Sequence, residues 1–288
     1  MRSSTSRTVL RATRAVSLLL LGACGRPPAS GAPAPAMPAT ASSWRFALAP
    51  GEYIYHVAND AAILLATDTL AQRDSVTTSA RVTYRLAPAG GGSLSLAGTV
   101  DSFTVVSGGR VQPANAPTAP VAFSGTIDPS RHHVELANAL TGDCTSAATP
   151  LLAVARDLLV APPPSFAVGT VWHDTVTTMG CRGTIPVSTR SVQRYEVQGA
   201  DTFAGVSAVR IARASTVSLS GSASPRGQPV SIAGSGAAAS ALYFDPARGR
   251  FLGATGESTT KLTLSASGQS REFTQRVRQR VLLRGLVP

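Results

Sequence analysis

The sequence predicts a mainly β body, a large antiparallel curved sheet closing as a half-barrel or a sandwich, with one covering helix. Three observations carry this. From about Trp44 to Pro288, short stretches rich in Val, Thr, Ser and Tyr are separated by Gly, Pro, Asn and Asp clusters. Period-2 alternation is clear in places: Val82, Tyr84 and Leu86 fall on one face, and Arg81, Thr83 and Arg85 on the other. Only one stretch has helical spacing. The body spans 245 residues, enough for one large β-domain or two small ones.

Ahead of the body, Arg2, Arg7, Arg11 and Arg14 form a positive segment with no acidic residue, and Ala15 to Leu21 is a short apolar run. Small residues and a cysteine follow as Leu21-Gly22-Ala23-Cys24. This opening resembles a bacterial lipoprotein signal peptide, residues 1–23, with its lipobox. The resemblance implies cleavage before Cys24, diacylation of its sulfur and acylation of the new amino terminus. The two other readings are an ordinary cleaved signal that leaves a free thiol, and a membrane span. A span needs about 18 or more apolar residues, roughly twice the run present. Gly25 stands where an Asp would imply inner-membrane retention in enterobacterial lipoproteins, so an outer-membrane location is favoured over the inner membrane.

Residues 24–43 are then the lipidated cysteine and a tether. Five prolines in the eighteen residues from Arg26 to Ser43 favour polyproline II, with a reach on the order of 50 Å.

Within the body, Leu94, Leu96 and Val100 share a phase, whereas Phe103 and Val105 take the opposite one, which predicts a bulge near Asp101. Further strands are expected at Val121 to Ile127, Val168 to Thr177, Gln193 to Val197, Val206 to Leu219, Ala239 to Phe244, Phe251 to Leu264 and Glu272 to Leu283. The helix is expected from Thr149 to Val160, with Thr149 as N-cap, Pro150 at the first helical position and Pro162-Pro163-Pro164 as the stop. Its Leu151, Leu152, Ala155, Leu158 and Leu159 would face the sheet, leaving Arg156 and Asp157 outside.

Ile127-Asp128-Pro129-Ser130-Arg131 returns as Phe244-Asp245-Pro246-Ala247-Arg248, 117 positions later. Gly51 to Ile54 aligns with Gly169 to Trp172, and Tyr84 with Tyr195. These matches read as a diverged duplication, repeats 48–140 and 166–284 flanking the helix at 149–160, against a competing reading of Asp-Pro turns recurring by chance. Two similar sheets can enclose a ligand cavity whether they form one curved sheet or face each other.

With Cys24 assigned to lipid, Cys144 and Cys181 remain as a pair, expected to be bridged in an oxidising compartment and to clamp the helix onto the β-body. The formal charge of +11 falls to +7 without the four leader arginines, and Arg supplies all the positive charge of the body except Lys261. An exported chain rarely meets nucleic acid, so none is expected as partner. Arg276, Arg278, Arg280 and Arg284 line one face of the last strand opposite Phe273, Val277, Val281 and Leu283. That row is either a solvated edge or outer face, or a stripe for anionic lipid or polysaccharide.

Catalytic patterns fail on inspection. Ser258-Thr259-Thr260-Lys261 fits S-x-x-K but lies in an alternating strand, and its partners S-D-N and K-T-G are absent. His132 and His133 are strand neighbours and diverge, so only His133 and Glu135 could converge; His56 and His173 lie elsewhere, and no metal or other cofactor is expected.

Three functional classes are left. The expectation is a non-enzymatic envelope lipoprotein whose curved sheet binds a hydrophobic ligand or an envelope partner, in outline similar to the half-barrel lipoprotein-carrier class. The alternatives are a structural or surface protein that uses its arginines on anionic envelope polymers, and a hydrolase assembled from residues distant in sequence.

Overall fold

The computed structural model describes residues 43–66, 71–111, 119–128, 133–136, 144, 148–182 and 185–285. Residues 1–42, with Cys24, lie outside that set, as do Pro129 to His132. The body is a curled antiparallel half-barrel with one short helix.

The N-terminal strands are β1 (Ser43–Arg45), β2 (Gly51–Ala66), β3 (Ala71–Gly90), β4 (Ser93–Ser107), β5 (Arg110–Val111), β6 (Val121–Asp128) and β7 (His133–Leu136). Helix α1 (Ala148–Asp157) follows. The C-terminal strands are β8 (Ser165–Ala167), β9 (Val171–Arg182), β10 (Ile185–Phe203), β11 (Val206–Ala223), β12 (Val230–Asp245), β13 (Arg250–Ala266) and β14 (Gln269–Leu283). The main sheet runs β7-β6-β4-β3-β2-β14-β13-β12-β11-β10-β9, with β5 on β4, while β1 and β8 form a separate pair. Two meanders, β2 to β7 and β9 to β14, are joined where β14 pairs with β2, from Phe273 opposite Leu65 to Leu283 opposite Tyr55.

The segment between β7 and β9 joins the two outermost strands of the sheet, and its described part from Ala148 onward lies on the concave side. It carries α1, which packs on β9, β6 and β4.

The alternating residues behave as their period requires. Val82, Tyr84 and Leu86 are buried on the concave face. The bulge lies on β4, where Ser79 pairs with Thr104 but Arg81 pairs with Asp101, and Ser102 takes a φ of 51°. One main apolar core lies under α1, and a second, smaller one (Ile185, Val187, Leu219, Ile232 and Leu262) fills the far end of the β9 to β14 meander.

Three expectations are corrected. The helix starts at Ala148, so Thr149 and Pro150 lie within its first turn and not at the cap, and it ends at Asp157, where Leu158 and Leu159 continue as tight turns that bond back to Ala155 and Arg156. Arg156 and Asp157 are not on an outer face: Arg156 is buried, 3.9 Å from Asp174, and Asp157 pairs with Arg213 at 3.1 Å. A helix crossing a concavity has sheet on more than one side, and the charges persist there because each has a partner. Finally, β14 is a central strand and not an edge, so its row of arginines lies on the convex face and has no edge to protect.

The stretches aligned between the two halves fall on the opening strands of the meanders. Tyr53 and Tyr84 are register partners on β2 and β3, and Trp172 and Tyr195 on β9 and β10. Asp245 forms the expected turn, its Oδ1 accepting the amides of Ala247 and Arg248 at 3.1 Å each. The corresponding turn after Asp128 lies outside the described residues.

Candidate functional site

The C-terminal end of α1 is held by side chains from both meanders. The last carbonyls of a helix lack intrahelical donors. Here Tyr84 Oη donates to the Ala155 carbonyl at 2.8 Å, and Arg213 Nη1 donates to the Asp157 carbonyl at 3.2 Å and to its Oδ1 at 3.1 Å. Arg213 Nε donates to Ser240 Oγ at 2.8 Å. A cation at a helix C-terminus also complements the helix dipole.

The contacts continue away from the helix. Tyr195 lies beside Arg213 and donates to Gln193 Oε1, and Trp172 stacks on the Tyr195 ring at 4.8 Å between centroids. Burial pushes the Tyr195 phenol up to about 12, with Arg213 pulling the other way. Burial likewise raises Tyr55 and Tyr84. Burial lowers Arg156, opposed by Asp174. For Arg213 burial acts downward, but Asp157 and Tyr195 outweigh it and leave its pKa raised.

Two cavities adjoin this pair. The first, about 50 Å³, lies under the strap that follows α1 and is walled mainly by Leu48, Tyr55, Leu86, Leu158, Leu159 and Phe251. The second, about 250 Å³, lies inside the β9 to β14 meander. Every strand from β9 to β14 contributes to its lining, among them Thr178, Ser191, Ser215, Ser240, Ser258 and Gln279. Asp157, Arg213 and Gln279 line both cavities and so form the partition between them. The curl that encloses the second is strong enough for Arg182 on β9 to donate to Gln275 Oε1 on β14 at 2.9 Å.

The residues expected from sequence are dispersed. Cys144 and Cys181 are bridged, tying the chain just before α1 to β9. Arg276, Arg278, Arg280 and Arg284 are exposed, the first three on the convex face, where Arg278 pairs with Glu257 at 3.0 Å. Ser258 faces the second cavity, whereas Lys261, three residues along the same strand, points to the opposite face, so the S-x-x-K tetrad does not assemble. His133 lies 3.9 Å from Glu135, with both side chains exposed. His56, His133 and His173 line neither cavity. Among the described residues no helix is long and apolar enough to cross a membrane.

The sequence reading missed Arg213. Its signal was present: Val209, Ile211, Val217 and Leu219 share a phase on β11, and Arg213 and Ser215 interrupt it.

No protein-family profile and no curated protein matches the chain. Among solved structures, DynF from the dynemicin biosynthesis pathway of Micromonospora chersina aligns over 90% of this chain and 92% of its own, at 12% identity and a TM-score of 0.26. A likeness at that score supports no inference about this chain.

Proposed function

We propose that the protein is a non-enzymatic, lipid-anchored envelope protein, held by Cys24 to a membrane, the outer more than the inner, that binds a hydrophobic ligand on the concave side of its half-barrel. The observation that carries this is the first cavity, an apolar space walled on one side by sheet and on the other by the Leu158 to Val160 strap, the end of α1 and Leu48. Ligand sites are concave, mostly apolar and fixed by a few convergent polar groups. Here the polar groups include Arg213, Asp157, Gln279 and Arg250 in the cavity's wall. At about 50 Å³ the space is smaller than an apolar ligand of lipid size, so the proposal requires the strap to move outward on binding.

The experiment is mass spectrometry of organic extracts from the Cys24→Ser chain purified from cells. Co-purifying apolar molecules in near-stoichiometric amount are expected; their absence counts against the proposal. The anchor has a separate test. The same substitution moves the protein from the membrane to the soluble fraction, and an unchanged membrane fraction refutes lipidation.

A second reading rests on the exposed arginines of β14 as a contact for anionic envelope polymers. The Glu257 partner of Arg278 weakens it. Polyanion binding lost in Arg276→Gln/Arg278→Gln/Arg280→Gln would favour it.

A further inference from the structure

We propose that the chamber enclosed by β9 to β14 is a binding subsite for an uncharged polyhydroxy group, the sugar-like head of an amphiphile whose apolar part occupies the adjoining cavity. This deepens the binding reading above and rests on it.

Interior positions of a strongly curled sheet are ordinarily filled by large side chains that interlock. At both ends of this meander they are: Ile185, Val187, Leu219, Ile232 and Leu262 close one end, and Trp172, Tyr195, Ile211 and Leu242 the other. Between them most inward positions change to Ser, Thr, Ala, Gly and Gln, with Val176, Val217 and Val277 interspersed, and a space of about 250 Å³ opens. That is room for about eight waters at roughly 30 Å³ each, or for one compact ring with its hydroxyls.

The lining has a definite chemistry. Thr178, Thr189, Ser215, Ser258, Thr260 and Gln279 have no side-chain hydrogen-bond partner among the described residues. Hydroxyls and amides both donate and accept, which is what a polyhydroxy ligand requires and what an ion does not. The charged side chains at the wall, Arg213 and Asp157, already satisfy one another, so a charged head group would find no free counter-charge. Glu257 borders the chamber through its backbone, because its carboxylate is on the convex face with Arg278. The shared partition of Arg213, Asp157 and Gln279 places the chamber directly beside the apolar cavity, which gives an amphiphile a polar and an apolar compartment in sequence.

The test is calorimetric titration of the Cys24→Ser chain with three probes: laurate, glucose and octyl β-glucoside. It is repeated on Thr178→Val/Thr189→Val/Thr260→Val, which removes three hydroxyls at constant shape. The single variant Thr260→Val, checked for an unchanged melting transition, serves if the triple variant does not fold. Octyl glucoside is expected to bind the unsubstituted chain and to lose about tenfold in affinity in the triple variant, while laurate changes by less than about twofold. Glucoside affinity that is indifferent to the substitutions, or laurate binding without glucoside binding, overturns the subsite alone. Glucose binding alone, lost in the variant, upholds the subsite and overturns the apolar-ligand reading. No binding of any probe overturns both.

Discussion

Tyr84 on β3 and Arg213 on β11 grip the same end of α1 from opposite halves of the sheet, one through the carbonyl of Ala155 and the other through that of Asp157. The helix is thereby fixed over the concavity by the two meanders at once. Tyr84→Phe keeps the ring and removes the donor, leaving a buried carbonyl unmet, so it is expected to cost about 1–2 kcal/mol in urea unfolding. Arg213→Met also strands Asp157 and is expected to cost about 1.5–3 kcal/mol. Unfolding midpoints equal to that of the unsubstituted chain would contradict the clamp.

The Cys144–Cys181 bridge closes a loop of 37 residues that contains α1. On the chain-entropy account it contributes roughly 4 kcal/mol. Reduction, or Cys144→Ala/Cys181→Ala, is expected to lower stability by a few kcal/mol and to expose the α1 amides first in hydrogen exchange. Uniform exchange after reduction would place the bridge's effect elsewhere.

The buried tyrosines predict an alkaline limit. Tyr195 is raised from an ordinary 10.0 to about 12, and Tyr55 and Tyr84 are also raised, each chiefly by burial. A raised folded-state pKa means that the folded protein holds the proton more tightly than the unfolded chain. This stabilisation is complete below about pH 10 and is lost as the pH rises through about 12. Ultraviolet titration should show tyrosinate appearing together with unfolding in that window. Reversible ionisation of every tyrosine near pH 10 with the fold intact would contradict it.

Gly98 is required by a close approach. A Cβ there would lie 2.2 Å from the Thr83 carbonyl oxygen and 2.4 Å from the Phe123 ring, which packs edge-on against Tyr84 with ring centroids 5.5 Å apart. Gly98→Ala displaces that ring and, through Tyr84, the hold on α1. The expected loss is about 1–3 kcal/mol, read from thermal unfolding.

Much of the fold was legible because period-2 alternation is a local property. Val82, Tyr84 and Leu86 announce their face, and the phase switch from Val100 to Phe103 announces the bulge at Ser102. Two things were not legible. In β12, Ser231 to Ser240 is made of Ser, Ile, Ala and Gly with little contrast between faces, so only its ladders with β11 and β13 define the strand. The central place of β14 depends on pairing with β2, some 200 residues earlier, which no local pattern encodes. The candidate site was hidden for the same reason. Arg156 and Asp157 look like a solvated helix face until Asp174 and Arg213 are brought beside them.

The central claim is that an apolar ligand occupies the space beneath the Leu158 to Val160 strap. Its most direct test is an isotope-filtered NMR measurement on the Cys24→Ser chain with carbon-13-labelled laurate. Contacts are expected from the laurate methylenes to the Tyr55 and Phe251 rings and to the Leu158 and Leu159 methyls. Binding with contacts only to convex-face residues such as Arg276 and Arg280, or no binding at millimolar laurate, would contradict it.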